Sequence, residues 1–427
     1  MSWEKFEKLN STIKFFKGNI DFNKAIAHDI LIIAFSLPIG NMHILKSFFK
    51  SIHFERIIKD FETHRTIFTC FVNRADHINF VTSCKSNILD SVLIQSNTIS
   101  PKLNINPLHI LLSLWQVLKL RHLKISLKSK IYLASQLCYN LNIEKDLRMI
   151  LLKNKQAIKT KNYVALISSF GLENLLCQVI NTYTKINTYT LSHGVSYVDY
   201  KLNRPLDYIN GYNISAQYVF VWGKSSKIDL TNNYNFPSNR IIIGGNPKYL
   251  AKEINLKTIF NNCIVLLPRK IYDESNLSLL RLISKCQKNY SFEVFLKLHP
   301  SLDFQKYEII ANQYGFKICP GKNTLAQELS SDIYDFAIAY NTTAYYESMY
   351  YNLPCLRYAE NENEMYYGLN DKFSTSYELQ KLIIDFKNMN HKLLNQEVTI
   401  LLHEILGVGI NTYAKYLNSN FPLSYSE

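Results

Sequence analysis

From residue 164 to residue 358, short apolar runs alternate with stretches of helical periodicity, and most of the runs stop at glycine, proline or histidine. No other feature limits the fold as strongly. A short apolar run without internal alternation suits a parallel strand buried on both faces. Strands that alternate with helices build parallel sheets covered by helices on both sides. Residues 164–168, 187–191, 218–222 and 240–243 read as strands, with a helix over 172–180. A second series opens near residue 260, with strands at 264–267, 292–298, 316–319, 335–340 and 354–358. Helices fall at 274–288, 305–313, 324–329 and 343–351, and further helices beyond Ser376 close the chain. Two series of similar size predict an α/β protein of two Rossmann-like domains facing a central cleft. The domains run over 1–255 and 256–427, with a hinge in the polar stretch 252–262. Ligands of such sheets bind outside the carboxyl ends of the strands, so a nucleotide between the domains is the default expectation.

Ahead of residue 164 the pattern is less regular. The continuous apolar run 30–35 reads as a buried strand. Asn41 is placed to cap a helix that carries Ile44, Leu45, Phe48, Phe49, Ile52, Phe54 and Ile57. Residues 66–72, 78–82 and 92–95 read as short strands, and 107–152 as helical throughout. In that long segment Lys119, Arg121, His122, Lys124, Lys128 and Lys130 interleave with apolar residues. Such a basic amphipathic segment suits an anionic membrane surface. An ordinary surface helix with solvated lysines is the competing reading.

Composition excludes several classes. An apolar fraction of 47% against 19% charged residues describes a core-forming globular chain rather than a disordered one. With 13 glycines and 11 prolines in 427 residues, fibrous classes are out. The net charge of +14 attracts phosphates, whether on nucleic acid, anionic lipid or a nucleotide-linked substrate. No nucleic-acid module is recognisable, so no nucleic-acid partner is expected. The eight cysteines are scattered, form no CxxC pair and lie mostly in apolar segments. They read as reduced thiols of a cytoplasmic protein, without metal-binding spacing. Residues 1–24 are too charged for a signal peptide. The run 30–39 falls short of the about 20 residues that a membrane span needs.

Four stretches carry residues able to do chemistry. Residues 335–354 read DFAIAYNTTAYYESMYYNLP. An apolar strand runs into Asn341, Thr342 and Thr343 and then into a helix. Hydroxyls at a helix start can cap it, and the exposed amides and dipole there can hold phosphate. Glu347 lies one turn on, where a carboxylate can accept the hydroxyls of a ribose. A plain capped helix with Glu347 on the surface is the alternative. Residues 295–300 read FLKLHP. Lys297 and His299 alternate at a strand end and so point to one face, as a basic pair suited to a phosphate leaving group. Pro300 ends the strand. Residues 190–197 read TLSHGVSY. His193 ends a strand, Gly194 permits a tight turn, and a histidine, with an ordinary pKa of about 6.5, can act as general base. A turn histidine is the alternative there. Asp199 is the second candidate base and Asp207 a weaker third. Residues 241–249 read IIIGGNPKY, where Gly244 and Gly245 end a strand near the expected hinge. Pro268, Arg269 and Lys270 end the next strand, with Arg269 a candidate contact for donor phosphates or sugar. A plain turn explains either stretch equally well.

Taken in order, HG, GNPK, LPR, KLHP and NTTAYYES…NLP resemble the bacterial surface-polysaccharide transferases of the GT-B fold. Among these they are similar to users of cytidine nucleotides: CDP-glycerol glycerophosphotransferases, bacterial sialyltransferases and capsule Kdo transferases. The resemblance spans residues 164–358 and lies in the order and spacing of the motifs. It implies His193 as catalytic base, His299 as a donor-phosphate contact, Thr342 and Thr343 as a phosphate-binding pair, and Glu347 at the ribose. It also implies catalysis without a metal. Ser192-His193-Gly194 stands where the sialyltransferases carry an acidic pair before glycine, and Ala339-Tyr340-Asn341 lacks the aspartate-rich approach of the glycerophosphotransferases.

The resulting expectation is an inverting GT-B glycosyltransferase with a histidine base and no cofactor beyond its substrate. Its donor is a CMP- or CDP-linked sugar, and its acceptor is a hydroxyl of a surface glycan or glycolipid such as lipopolysaccharide or capsule. It works in the cytoplasm, peripheral to the anionic inner membrane. Three rivals stand beside it. Glycerol- or ribitol-phosphate transfer places the attack on phosphorus. A non-hydrolysing nucleotide-sugar epimerase calls for several acid–base carboxylates. A basic nucleic-acid-binding or assembly protein predicts salt-sensitive binding.

Overall fold

The computed structural model describes residues 2–39, 41–195, 205–360 and 367–419. The chain forms two compact units, Met1–Lys248 with Ile410–Glu427, and Tyr249–Gly409. The sequence predicts one boundary, at 255/256; the contacts divide the chain at 248/249 and again at 409/410.

The first unit holds a six-stranded sheet of β1 (Thr66–Cys70), β2 (Ser91–Gln95), β3 (Asn162–Ala165), β4 (Asn187–Leu191), β5 (Tyr218–Val221) and β6 (Ile241–Ile243). The order is β6-β5-β4-β3-β1-β2 and every pairing is parallel. Every residue of β1 and β3 is buried, which is why these strands read as apolar runs. Residues 78–82, expected as a strand, lie instead in the helix Ala75–Lys85. β1 and β2 are parallel neighbours, and a parallel pair needs a crossover of about a dozen residues or more, so the stretch between them is helical.

The N-terminal layer corrects two further expectations. Residues 30–34 belong to a helix, Ala27–Ala34, that Phe35 ends as its C-cap, not to a strand. It packs among Trp3, Phe6 and Leu9 of the helix Ser2–Thr12 and Leu133, Ala134 and Cys138 of the helix Leu127–Lys153. An apolar run that short shows no period, so burial on all sides looks the same in either conformation. The single helix expected after Asn41 is interrupted. Helices Asn41–Phe48 and Glu55–Thr63 flank a strand, Lys50–Ile52, that pairs antiparallel with Pro101–Leu103. The long helical segment is present with one break. Helix Pro107–Leu118 runs into a 3₁₀ turn, Lys119–His122, and Leu127–Lys153 starts afresh with Ser126 Oγ accepting the Ser129 amide at 3.1 Å.

The Gly244-Gly245 turn seats the segment that begins at Ile410. Gly245 has φ +78°, and a Cβ there would lie 1.9 Å from the Ile410 carbonyl oxygen. Tyr413 donates its hydroxyl to the Gly245 carbonyl at 2.7 Å, and the Tyr413 ring lies 4.8 Å from Phe220 of β5.

In the second unit the strands are β7 (Asn262–Leu267), β8 (Glu293–Leu298), β9 (Lys317–Ile318), β10 (Phe336–Ala339), β11 (Cys355–Tyr358) and β12 (Lys372–Phe373). All pairings are parallel and the order is β9-β8-β7-β10-β11-β12. Numbered within the unit this is 3-2-1-4-5-6, the Rossmann order. The strand order reverses between β7 and β10. In the first unit it reverses between β1 and β3. All the strands and helices expected of the second series are present.

Candidate ligand site at the strand ends

Open parallel sheets bind ligands outside the carboxyl ends of their strands, at the point where the order reverses. In the second unit three loops leave the sheet there. The loop after β7 carries Pro268, Arg269 and Lys270. The one after β8 carries His299, Pro300 and Ser301, and the one after β10 carries Asn341, Thr342 and Thr343. The loops are tied to one another. Lys270 donates its amide to Ser301 Oγ at 3.1 Å. The rings of Tyr272 and Tyr340 meet edge-on at 5.6 Å. Arg269, His299, Thr342 and Thr343 therefore share one end of one sheet.

His299 is held by its own turn. Its Nδ1 accepts the Ser301 amide at 3.1 Å and lies 2.9 Å from Ser301 Oγ. A ring nitrogen that accepts an amide proton carries none itself, so the neutral ring bears its proton on Nε2. Pro300 is exposed at the tip of the turn. Lys297 goes elsewhere. Its ammonium donates to the Asn323 carbonyl at 2.6 Å and sits 3.8 Å from the buried Glu328, with the side chain only 14% exposed. A buried carboxylate needs a counter-charge, and the long lysine stem reaches it. The strand alternation that puts Lys297 and His299 on one face does not bring the ends of their side chains together.

After β10 the backbone turns through Asn341 at φ +41°, a left-handed conformation that asparagine tolerates better than most residues. Thr342 Oγ1 accepts the Ala344 amide at 3.3 Å, while the Thr343 side chain makes no capping bond to the short helix Ala344–Tyr350. Glu347 is half-buried in that helix and receives the hydroxyl of Tyr249. Burial first, and then the Glu347 charge, hold this phenol well above its ordinary range. Beneath the helix Arg357 Nε donates to Asp371 at 2.6 Å, both side chains being buried, and the Tyr345 hydroxyl donates to the same carboxylate. This clamp fixes the helix to β11 and to the segment leading into β12.

Two buried amides stand out. Asn276 lies in the first turn of the helix Asp273–Gln287. It donates Nδ2 to the Pro268 carbonyl at 3.4 Å and leaves Oδ1 without a hydrogen bond. The buried Oδ1 of Asn341 also lacks one. Buried polar side chains are nearly always paired. These two flank the reversal, one beyond β7 and one beyond β10, where a polar ligand would complete them.

No protein-family model matches this chain, and no curated protein matches it. Solved structures give weak likenesses. A putative UDP-N-acetylglucosamine 2-epimerase from Listeria monocytogenes is 11% identical over 82% of this chain and 94% of its own, with a TM-score of 0.48. The UDP-GlcNAc 2-epimerase of Methanocaldococcus jannaschii is 11% identical over 76% and 93%, with a TM-score of 0.44. A glycosyltransferase of kitacinnamycin is 8% identical over 83% and 98%, with a TM-score of 0.47. Likenesses at this level assign no activity.

In the first unit the reversal is occupied by the chain itself. The buried carboxylate of Glu173 accepts the amides of Leu166 at 3.0 Å and Ile167 at 3.2 Å and the Thr69 hydroxyl at 2.7 Å. Burial raises its pKa from 4.5 to about 7, against the lowering effect of those bonds. His193 lies past the end of β4, its ring centroid 5.0 Å from that of His77 on the helix Ala75–Lys85. Burial, and then Arg74, hold His77 below the usual histidine range. Ser192 pins the turn, its amide bonded to the Phe220 carbonyl at 2.8 Å and its hydroxyl to the Gly194 carbonyl at 2.7 Å. Asp199 lies outside the described residues, as does the side chain of Asp207. His77 was hidden from sequence reasoning by the strand expected at 78–82. A recess of about 390 Å³ in the N-terminal layer, bordered by Ile32, Lys50, Tyr132 and Gln136, contains none of the candidate residues.

Proposed function

We propose that this chain is a glycosyltransferase of GT-B type, whose second unit binds a nucleotide-linked sugar and whose first unit supplies the acceptor side. The observation that carries the reading is the pair of partnerless buried amide oxygens, Asn276 and Asn341, flanking the strand reversal of a Rossmann-ordered sheet. Arg269, His299 Nε2–H and the hydroxyls of Thr342 and Thr343 face the donor phosphates and stabilise charge on the leaving oxygen. Glu347 keeps acceptor capacity for a ribose hydroxyl beside its bond to Tyr249. Lys297 is a positioning residue that neutralises Glu328 and holds the Asn323 carbonyl.

In the transfer step His193 takes the proton of the acceptor hydroxyl. The acceptor oxygen bonds to the anomeric carbon as the bond from that carbon to the donor phosphate oxygen breaks. The electron pair leaves with the nucleotide. One displacement inverts the centre, and no metal is required. Asp199 is the second candidate for the base. The donor is read as CMP- or CDP-linked from the order of the motifs, and the acceptor as a hydroxyl of a lipopolysaccharide, capsule or related glycan.

A calorimetric screen of nucleotides tests this. Binding of CMP or CDP without UDP or GDP supports the cytidine reading. Binding of UDP instead keeps the transferase and replaces the base. If no nucleotide binds, the transferase reading fails. His193→Ala should leave nucleotide binding intact and lower turnover by about a hundredfold or more; full activity in that variant would pass the role to Asp199.

A further inference from the structure

The helix Pro107–Leu118 is built inside out. Its buried residues are His109, Ser113, Gln116 and Val117. Its outer face carries Leu108, Leu111, Trp115 and Leu118, which are 61, 64, 64 and 62% exposed. These four recur at helical spacing and form one stripe. The inner face sets Val117 into the apolar core, with Ile110 packed against it, and adds a polar contact, His109 Nδ1 lying 2.7 Å from Asn142 Oδ1 on the helix Leu127–Lys153. Leu103 and Ile105 before the helix and Leu127 after it are also exposed. Single exposed leucines are ordinary on a protein surface; a continuous stripe with a tryptophan marks a surface that meets something apolar.

The charge around the stripe says what that is. From Ser91 to Ile143 the chain has no aspartate or glutamate, but it has Lys102, Lys119, Arg121, Lys124, Lys128 and Lys130. Lys119, Arg121, Lys124 and Lys128 are exposed directly after the helix. A second copy of this chain docked on the same face would bring like charges together. No helix among the described residues is long and apolar enough to cross a membrane.

We propose that this face seats on an anionic lipid bilayer. The leucines and Trp115 enter the boundary between headgroups and acyl chains, and the following lysines and Arg121 meet lipid phosphates. The inference stands independently of the transferase reading.

The test uses the full chain with phosphatidylcholine vesicles, with and without phosphatidylglycerol. Co-sedimentation should need phosphatidylglycerol and fall with salt. Trp3 and Trp222 are buried, so a blue shift of tryptophan emission on binding reports Trp115. The double variant Leu111→Gln, Trp115→Gln replaces exposed residues, so it should melt like the parent and no longer co-sediment. Lys119→Gln, Arg121→Gln and Lys124→Gln together should weaken binding about a hundredfold, at roughly fivefold per cation. Absence of co-sedimentation with phosphatidylglycerol vesicles overturns the proposal. So does binding that the double variant leaves unchanged. A dimer in analytical ultracentrifugation that the double variant dissociates, without vesicle binding, assigns the face to a second copy instead.

Discussion

Beyond β3 in the first unit, two backbone amides close on a carboxylate from the chain's own helix. Beyond β7 and β10 in the second unit, two buried amide oxygens wait without partners. Both places are the point where a parallel sheet reverses its strand order, and the geometry of parallel strands makes both polar. The first unit satisfies that polarity internally and is a finished piece of structure there. Among the described residues at the two reversals, the unpaired amide oxygens lie in the second unit, which is why the donor is proposed to bind there. The first unit's candidate chemistry is displaced by one strand, to His193 past β4, where His77 lies alongside.

The largest expected effect concerns the clamp under the second unit's loop. Asp371→Ala leaves Arg357 buried without its counter-charge and should cost about 3–5 kcal/mol in chemical denaturation. A loss under 1 kcal/mol would mean that the helix Ala344–Tyr350 is held by other contacts. Next comes the internal carboxylate of the first unit. Glu173 has a folded pKa of about 7 against an ordinary 4.5. The folded state therefore keeps a proton that the unfolded chain has lost, and stability falls as pH rises through this window, levelling off above it. Glu173→Gln places an amide N–H₂ against backbone donors and should cost about 1–3 kcal/mol at pH 5. That deficit should shrink toward pH 8. Asp29 and Asp229, raised by burial to about 6 and about 7, titrate in the same window. The readout is therefore the difference between parent and variant; a deficit independent of pH would remove Glu173 as the titrating group. A smaller effect is expected at Asn341. Asn341→Gly keeps the left-handed turn and should cost about 0.5–1 kcal/mol of stability at most, whereas Asn341→Ala adds about 1–2 kcal/mol of strain. Equal melting of the two would show that the turn relaxes.

Much of the second unit was legible in the sequence, for a physical reason. The central strands β7, β10 and β11 are buried on both faces, and β7, β8 and β10 stop just before Pro268, His299 and Asn341, so composition marks both their bodies and their ends. The N-terminal layer gave no such marks. Residues 30–34 are apolar because the helix that holds them packs into the core, and the pattern does not separate that from a buried strand. In the site, the sequence pointed to the strand-end position of His299. It could not show that Lys297 is drawn to Glu328, because that pairing crosses 31 positions and depends on burial. Nor could it show Asn276 or Glu173, whose meaning lies in which backbone groups they reach.

The second sheet's strand ends are proposed to hold the donor nucleotide. Calorimetric titration of CDP into the parent chain, His299→Ala and Glu173→Gln tests this most directly. The expected result is saturable binding to the parent, weakened about tenfold, or 1.4 kcal/mol, by His299→Ala and unchanged by Glu173→Gln. Binding that His299→Ala leaves intact and Glu173→Gln removes would place the ligand in the first unit and contradict the account.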